Sequence, residues 1–144
     1  MTVQKTGRAY KIGEIYLMNF GDSGSGSSEQ KGLRPGVVFQ NNIGNSYSPN
    51  IIALPLTSSV KKTGQLTHVK LSALKTGLRT DSVVLCENPE RMSKEKIGRF
   101  ICKLSDEYMK KITKASLLAT SAISFLDIKS LIEIWEKAVA INAA

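Results

Sequence analysis

Apolar residues follow two patterns along this chain. Before Leu104 they come in short runs rich in Val, Ile, Leu, Tyr and Phe, separated by Gly, Asn, Ser and Pro; beyond it they recur every three or four positions. The first pattern predicts β-strands and the second amphipathic helices. Strands are expected at 13–20, 35–41, 51–57, 66–72, 81–87 and 100–104. The run Ile15-Tyr16-Leu17-Met18 is apolar on both faces, so each side of that strand should be covered. Pro55 has no amide to donate, which predicts an edge or a bulge there. Residues 42–50 read as turn or loop. Ser93–Gly98 reads as one helical turn capped by Ser93.

After Leu104, Ser105 is placed to cap a helix, with Asp106 and Glu107 in its first turn. Tyr108, Ile112, Ala115, Ala119, Ala122 and Leu126 fall on one stripe of it. Ile128, Leu131, Ile132, Trp135 and Val139 make a second stripe, with Glu133 and Lys137 at i,i+4. Asp127 either caps this second helix or lies within one continuous helix. Strands followed by helices predict a mainly β, α+β domain: a small barrel or curled sheet with a C-terminal helical layer.

A chain of 144 residues supports one compact core. Its net charge of +8 suits a polyanionic partner, either nucleic acid or an acidic protein. Cys86 and Cys102 sit in apolar runs without a CxxC spacing, which predicts buried, reduced thiols rather than a zinc or redox site. Met1–Lys11 lacks an apolar signal core, and no run reaches membrane-span length, so a cytoplasmic location with no membrane partner is expected. His68 is the single histidine, which rules out a histidine acid–base pair within one chain. No Walker A, dinucleotide or GxSxG pattern is present, and no metal-ligand cluster; neither cofactor nor metal is expected.

What remains is cationic and hydroxylic. Arg34 stands where a polar loop meets the strand that begins at Pro35, and Thr57 ends another strand. If those strands are neighbours, a guanidinium fork and a hydroxyl share a rim suited to a phosphate that is gaining charge. RNA brings its own nucleophile, the 2′-OH. Lys31, Lys61 and Lys62 lie in the two polar loops, 21–31 and 58–65, that would flank that rim, and could neutralise backbone phosphates. Taken alone, a surface ion pair is the commoner role for Arg34, and a solvated charge run the commoner role for the lysines.

Several blocks carry a more specific pattern: Gly13-Glu14-Ile15-Tyr16, then Ser28-Glu29-Gln30-Lys31-Gly32-Leu33-Arg34-Pro35, then the run from Val37 through Asn45 to Pro49. Leu54-Pro55-Leu56-Thr57, Thr67-His68-Val69 and the run from Asp81 to Glu87 follow. In this order they resemble the MazF/PemK family of toxin endoribonucleases, over about residues 11–125. The resemblance implies an SH3-like curled β-barrel that forms homodimers and acts as the toxin of a type II toxin–antitoxin system. It implies metal-independent cleavage of single-stranded mRNA at short sequences, leaving 2′,3′-cyclic phosphate and 5′-OH ends. The catalytic pair falls on Arg34 and Thr57. RNA contacts fall on Glu29, Gln30, Lys31, Ser58, Lys61, Lys62, Ser82, Glu87 and Asn88. The cognate antitoxin would block the groove with an acidic, partly disordered tail.

Residues 1–126 would then be the endoribonuclease domain and 127–144 a helical extension packed on it, with Trp135 turned inward. The chain departs from the family at Asn88-Pro89-Glu90, where Gln-Ile-Arg is usual; this bears on base specificity and removes a cation near the groove. Two alternatives share the barrel: a gyrase-inhibiting toxin and a non-catalytic RNA-binding domain.

Overall fold

The computed structural model describes residues 9–21, 32–59 and 64–143. Glu29, Gln30, Lys31, Lys61 and Lys62, together with most of the Gly/Ser loop, lie outside them. The strands are β1 (Glu14–Asn19), β2 (Leu33–Val38), β3 (Asn50–Thr57), β4 (His68–Leu71), β5 (Ser82–Leu85), β6 (Glu90–Ser93) and β7 (Ile97–Lys103). The helices are α1 (Asn42–Tyr47), α2 (Ala73–Thr76), α3 (Asp106–Thr120) and α4 (Ile128–Ala143). All pairings are antiparallel, in the order β4-β5-β3-β2-β1-β7, with β6 also on β3.

β3 is the hub of this sheet. Along one edge it gives Asn50–Ala53 to β6 and Leu56–Thr57 to β5. Pro55 falls in the gap between these partners, so its missing amide breaks no ladder bond on that edge. The proline expected at an edge or bulge marks a change of partner instead. β6 leads through the short 3-10 turn Lys94–Lys96 directly into β7, which pairs with β1. The run β7-β1-β2-β3-β6 thereby has its two ends joined by the chain, the curled barrel expected from the sequence.

Two apolar clusters follow from the two-faced β1. Tyr16 and Met18 pack with Val38, Ile51, Ala53, Met92 and Ile97. Ile15 turns the other way and joins Val37, Leu54, Leu56, Val84 and, from α3, Ile112 and Ala115. Buried Glu14 is held among these by the Tyr16 hydroxyl and the Lys11 amide, at 3.1 and 2.6 Å. Both cysteines are free, Cys86 buried and Cys102 only half-buried; burial pushes the Cys86 thiol up to about 11 against a lowering hydrogen bond with Ser116, with the Glu87 charge adding to the rise, and burial also raises Cys102.

Several elements differ from the sequence expectation. Residues 42–47 form α1 rather than a loop; Asn41 Oδ1 accepts from the Gly44 amide at 2.8 Å, and Asn45 Nδ2 donates to the Gln40 carbonyl at 2.9 Å. Side-chain bonds, not an apolar stripe, hold this helix. β2 begins at Leu33, β4 at His68 and β7 at Ile97; α2 and β6 are additional. α3 and α4 are separate, because Ser121 adopts φ 55° and a short 3-10 turn follows. Asp127 caps α4, its Oδ1 accepting from the Ser130 amide at 2.8 Å.

α3 and α4 share a periodicity but not a fate. α3 buries Ile112 and Ala115, whereas α4 buries no residue and touches the core through α1. Trp135 is 66% exposed, so the expectation that it turns inward fails; a stripe defines a face, not what covers it. Replacing Ile112 by Ala should lower unfolding stability by about 2–5 kcal/mol, whereas Leu118→Ala on the exposed face of α3 should change it by less than ~0.5 kcal/mol. Urea unfolding of both variants checks the contrast.

Candidate active site

Arg34 lies inside β2, paired with Met18 of β1. Pairing with β1 fixes its backbone better than a loop junction would. Its guanidinium carbon sits 5.7 Å from the centre of the Phe20 ring, within cation–π range. Gly36 makes this arrangement fit. A Cβ there would meet Met18 Sδ at 2.7 Å and Phe20 Cζ at 2.8 Å. Among the described residues no carboxylate pairs with Arg34, which leaves its five N–H donors free for an external anion. Among the described residues the contact that holds this side chain is the Phe20 ring rather than an ion pair.

Thr57 closes β3. The β2–β3 ladder pairs Val38 with Ala53, Val37 with Leu54 and Gly36 with Pro55. The ladder stops there; carried two residues further, the same register would set Arg34 opposite Thr57, and opposed residues project to one face. Thr57 Oγ1 accepts from the Ser59 amide at 3.2 Å. Among the described residues its hydroxyl hydrogen has no acceptor, so it is available to donate outward. Exposed Ser58 follows directly.

The other described candidates do not gather there. Ser82 is buried, and its Oγ donates to the Thr80 carbonyl at 3.0 Å. It neighbours Val83, the partner of Thr57, and so points to the opposite face of the sheet. Glu87 and Asn88 lie beyond the far end of β5, on the order of 10 Å from the Thr57 level at ~3.3 Å per residue. Both are exposed. Glu87 pairs there with His68, Oε1 to Nε2 at 2.7 Å. Partial burial pushes the Glu87 carboxyl up, but hydrogen bonds from its own backbone, His68 and Thr67, with the His68 charge, outweigh this and hold it below the usual value. Among the described residues no three His, Cys, Asp or Glu side chains converge.

Sequence reasoning missed Phe20 and Gly36. A glycine inside a strand was the available signal, since it marks close approach by another group.

An arginine with no carboxylate partner among the described residues and a hydroxyl donor on the neighbouring strand, on a chain of charge +8, have the chemistry to bind a phosphate-like anion. The sequence model of the PemK-like, MazF-like toxins of type II toxin–antitoxin systems matches residues 11–118, and the chain belongs to that family. It is 36% identical over 115 residues to the endoribonuclease EndoA of Bacillus subtilis, covering 80% of this chain and 97% of that one. It is 37% identical over 103 residues to the endoribonuclease MazF of Staphylococcus saprophyticus, covering 72% and 84%. The fold matches MazF in a MazE–MazF crystal structure from Deinococcus radiodurans with a TM-score of 0.63 at 17% identity, over 80% of this chain and 98% of that one.

Two outcomes follow from this geometry. Gly36→Ala should force the half-buried Phe20 outward and cost about 1–3 kcal/mol of stability; urea unfolding reads the cost, and Arg Nε–Hε NMR should show the Arg34 side chain gaining mobility. The Glu87–His68 pair contributes stability above the ordinary glutamate pKa of about 4.3, and loses it as pH falls through the lower folded value. Glu87→Gln should therefore remove part of the acid limb below about pH 4.3 in a stability–pH profile.

Proposed function

We propose that this protein is an endoribonuclease toxin that cuts single-stranded mRNA by internal transesterification, with Arg34 and Thr57 as the catalytic pair. The observation that carries the reading is an arginine with no carboxylate partner among the described residues, on the strand paired with the one that Thr57 closes, inside a chain of this toxin family. The RNA 2′-OH attacks the adjacent phosphorus, the P–O5′ bond breaks, and a 2′,3′-cyclic phosphate and a 5′-OH result. The 2′-OH loses a proton and O5′ gains one, so the step consumes no water. Charge builds on the non-bridging oxygens of the five-coordinate phosphorus. Arg34 meets it with a planar fork of N–H donors, and Thr57 adds one O–H donor. The stacked Phe20 ring limits the positions the fork can take, so less ordering is left for the moment of reaction. No residue in this scheme requires a metal.

Glu29, Gln30, Lys31, Ser58, Lys61 and Lys62 contact RNA in this reading. Glu87 and Asn88 contact bases farther along the strand, in keeping with their distance from Thr57. Ser82, being buried, acts only through its backbone. The match to the MazF chain of a MazE–MazF complex supports a cognate antitoxin as the protein partner, with an acidic tail that suits the +8 charge. The active form is a cytoplasmic homodimer. Among the described residues no helix is long and apolar enough to cross a membrane.

The test is digestion of a long mixed-sequence RNA with EDTA present, followed by end mapping. Wild type should leave cyclic-phosphate ends at one short sequence. Arg34→Ala and Thr57→Ala should each slow cleavage by roughly 100-fold or more, with unchanged circular dichroism and melting. Arg34→Lys should recover only part, because a point charge cannot replace the fork. Wild-type rates in both alanine variants would sink the site assignment. Intact RNA with poisoned supercoiling would favour the gyrase reading.

A further inference from the structure

Several cations in this chain lie over an aromatic ring, but the ring has a different task in each place. Lys94 lies 5.8 Å from the centre of the Tyr10 ring, and its Nζ donates to the Asn45 carbonyl at 2.6 Å. Lys111 lies 5.8 Å from the Tyr108 ring and faces the Glu107 carboxylate at 4.0 Å. Each lysine has an acceptor of its own, so the ring is a secondary contact. Arg34 has the Phe20 ring, 5.7 Å away, and no carboxylate among the described residues. Without that ring a long, flexible side chain would lose what orients it.

Phe20 is itself held. Its backbone amide donates to the Gly32 carbonyl at 2.6 Å, one position beyond the pairing of Asn19 with Leu33. Asn19 Oδ1 accepts from the Gly21 amide at 2.9 Å, and a Cβ on Gly32 would come within 2.8 Å of that same oxygen. The backbone on both sides of the ring is therefore tied down. Beneath, the ring packs on the cluster that contains Tyr16 and Met18, in the space that Gly36 leaves. Met18 opposes Arg34 in the ladder, and alternation brings Phe20 and Gly36 to their face. A ring fixed in this way presents a steady π face to a cation. The negative face of its quadrupole attracts the guanidinium without taking up the in-plane N–H donors. An apolar shelf of equal volume would fill the space and leave the charge unattracted.

We propose that Phe20 is the positioning residue for Arg34: the π face of its ring holds the guanidinium in the orientation in which the N–H fork meets the scissile phosphate. The inference rests on the reading of Arg34 as catalytic and adds the residue through which Arg34 is oriented. Phe20 touches no reacting atom. Charge builds on the phosphoryl oxygens only as the five-coordinate state forms, so a misaligned fork weakens the transition state more than the bound substrate. The loss falls on kcat rather than on KM.

Steady-state cleavage of a short single-stranded RNA containing the mapped cut site tests this in the full-length chain. Phe20→Leu should lower kcat roughly tenfold and leave KM within about twofold. Phe20→Tyr keeps the π face and should stay within about twofold of wild type in both constants. A ring-trifluorinated phenylalanine placed at Phe20 keeps the shape and weakens the quadrupole; kcat should fall with melting unchanged, which a packing role would not produce. This variant also decides the matter if Phe20→Leu fails to fold. Arg34→Ala/Phe20→Leu should cleave no more slowly than Arg34→Ala, because Phe20 acts only through Arg34. Wild-type kcat in the fluorinated protein would overturn the proposal. So would a raised KM at unchanged kcat, which would make the ring a direct contact to RNA, or a further loss in the double variant. Slow cleavage by Arg34→Ala beside wild-type cleavage by Phe20→Leu overturns this inference alone, whereas wild-type cleavage by Arg34→Ala overturns the catalytic reading beneath it.

Discussion

The split partnership of β3 is the constraint from which the rest follows. One strand serves β2 along one edge and, along the other, β6 for its first half and β5 for its last two residues. A residue with a free amide at position 55 would leave a donor stranded in the gap between β6 and β5; proline has none to strand. The change of partner lets β6 turn back through a 3-10 turn to β7 and close the curl over Tyr16, Met18 and Ile51. It also carries the end of β3 onto β5, where Thr57 pairs with Val83 as the strand's last residue.

Arg34 is held from beneath by packing. Gly36 yields its side-chain space to Met18 and Phe20, and Phe20 then supports the Arg34 guanidinium. An aromatic face holds an arginine without consuming its hydrogen-bond donors, whereas a carboxylate would compete with any phosphate for them. The two ways of fixing an arginine therefore have opposite consequences for anion binding. This chain uses the one that keeps the fork open, and it places the carboxylate of Glu87 in a separate pair with His68.

Much of this was legible in the sequence. The change from strand runs to helical spacing near Leu104, the two-faced β1 and the Ser105 cap all appear where residue pattern and physical chemistry put them. The strands that carry Arg34 and Thr57 are neighbours, as the sequence reading supposed. What escaped notice lacked an apolar pattern. α1 is held by Asn41 and Asn45 side chains, and a run of Asn, Gly and Ser looks the same whether it bonds as a turn or as a short helix. β6 is four residues long and opens with Glu90 and Arg91, so only its pairing with β3 identifies it. Ser82 and Glu87 belong to one motif in the sequence, yet strand alternation and strand length send one inward and carry the other away from Thr57.

α4 shows the limit of periodicity in its plainest form. Its stripe and that of α3 obey the same spacing, but α3 meets a sheet and α4 meets mainly water. Because α4 is neutral, the +8 of the chain resides wholly on the remainder.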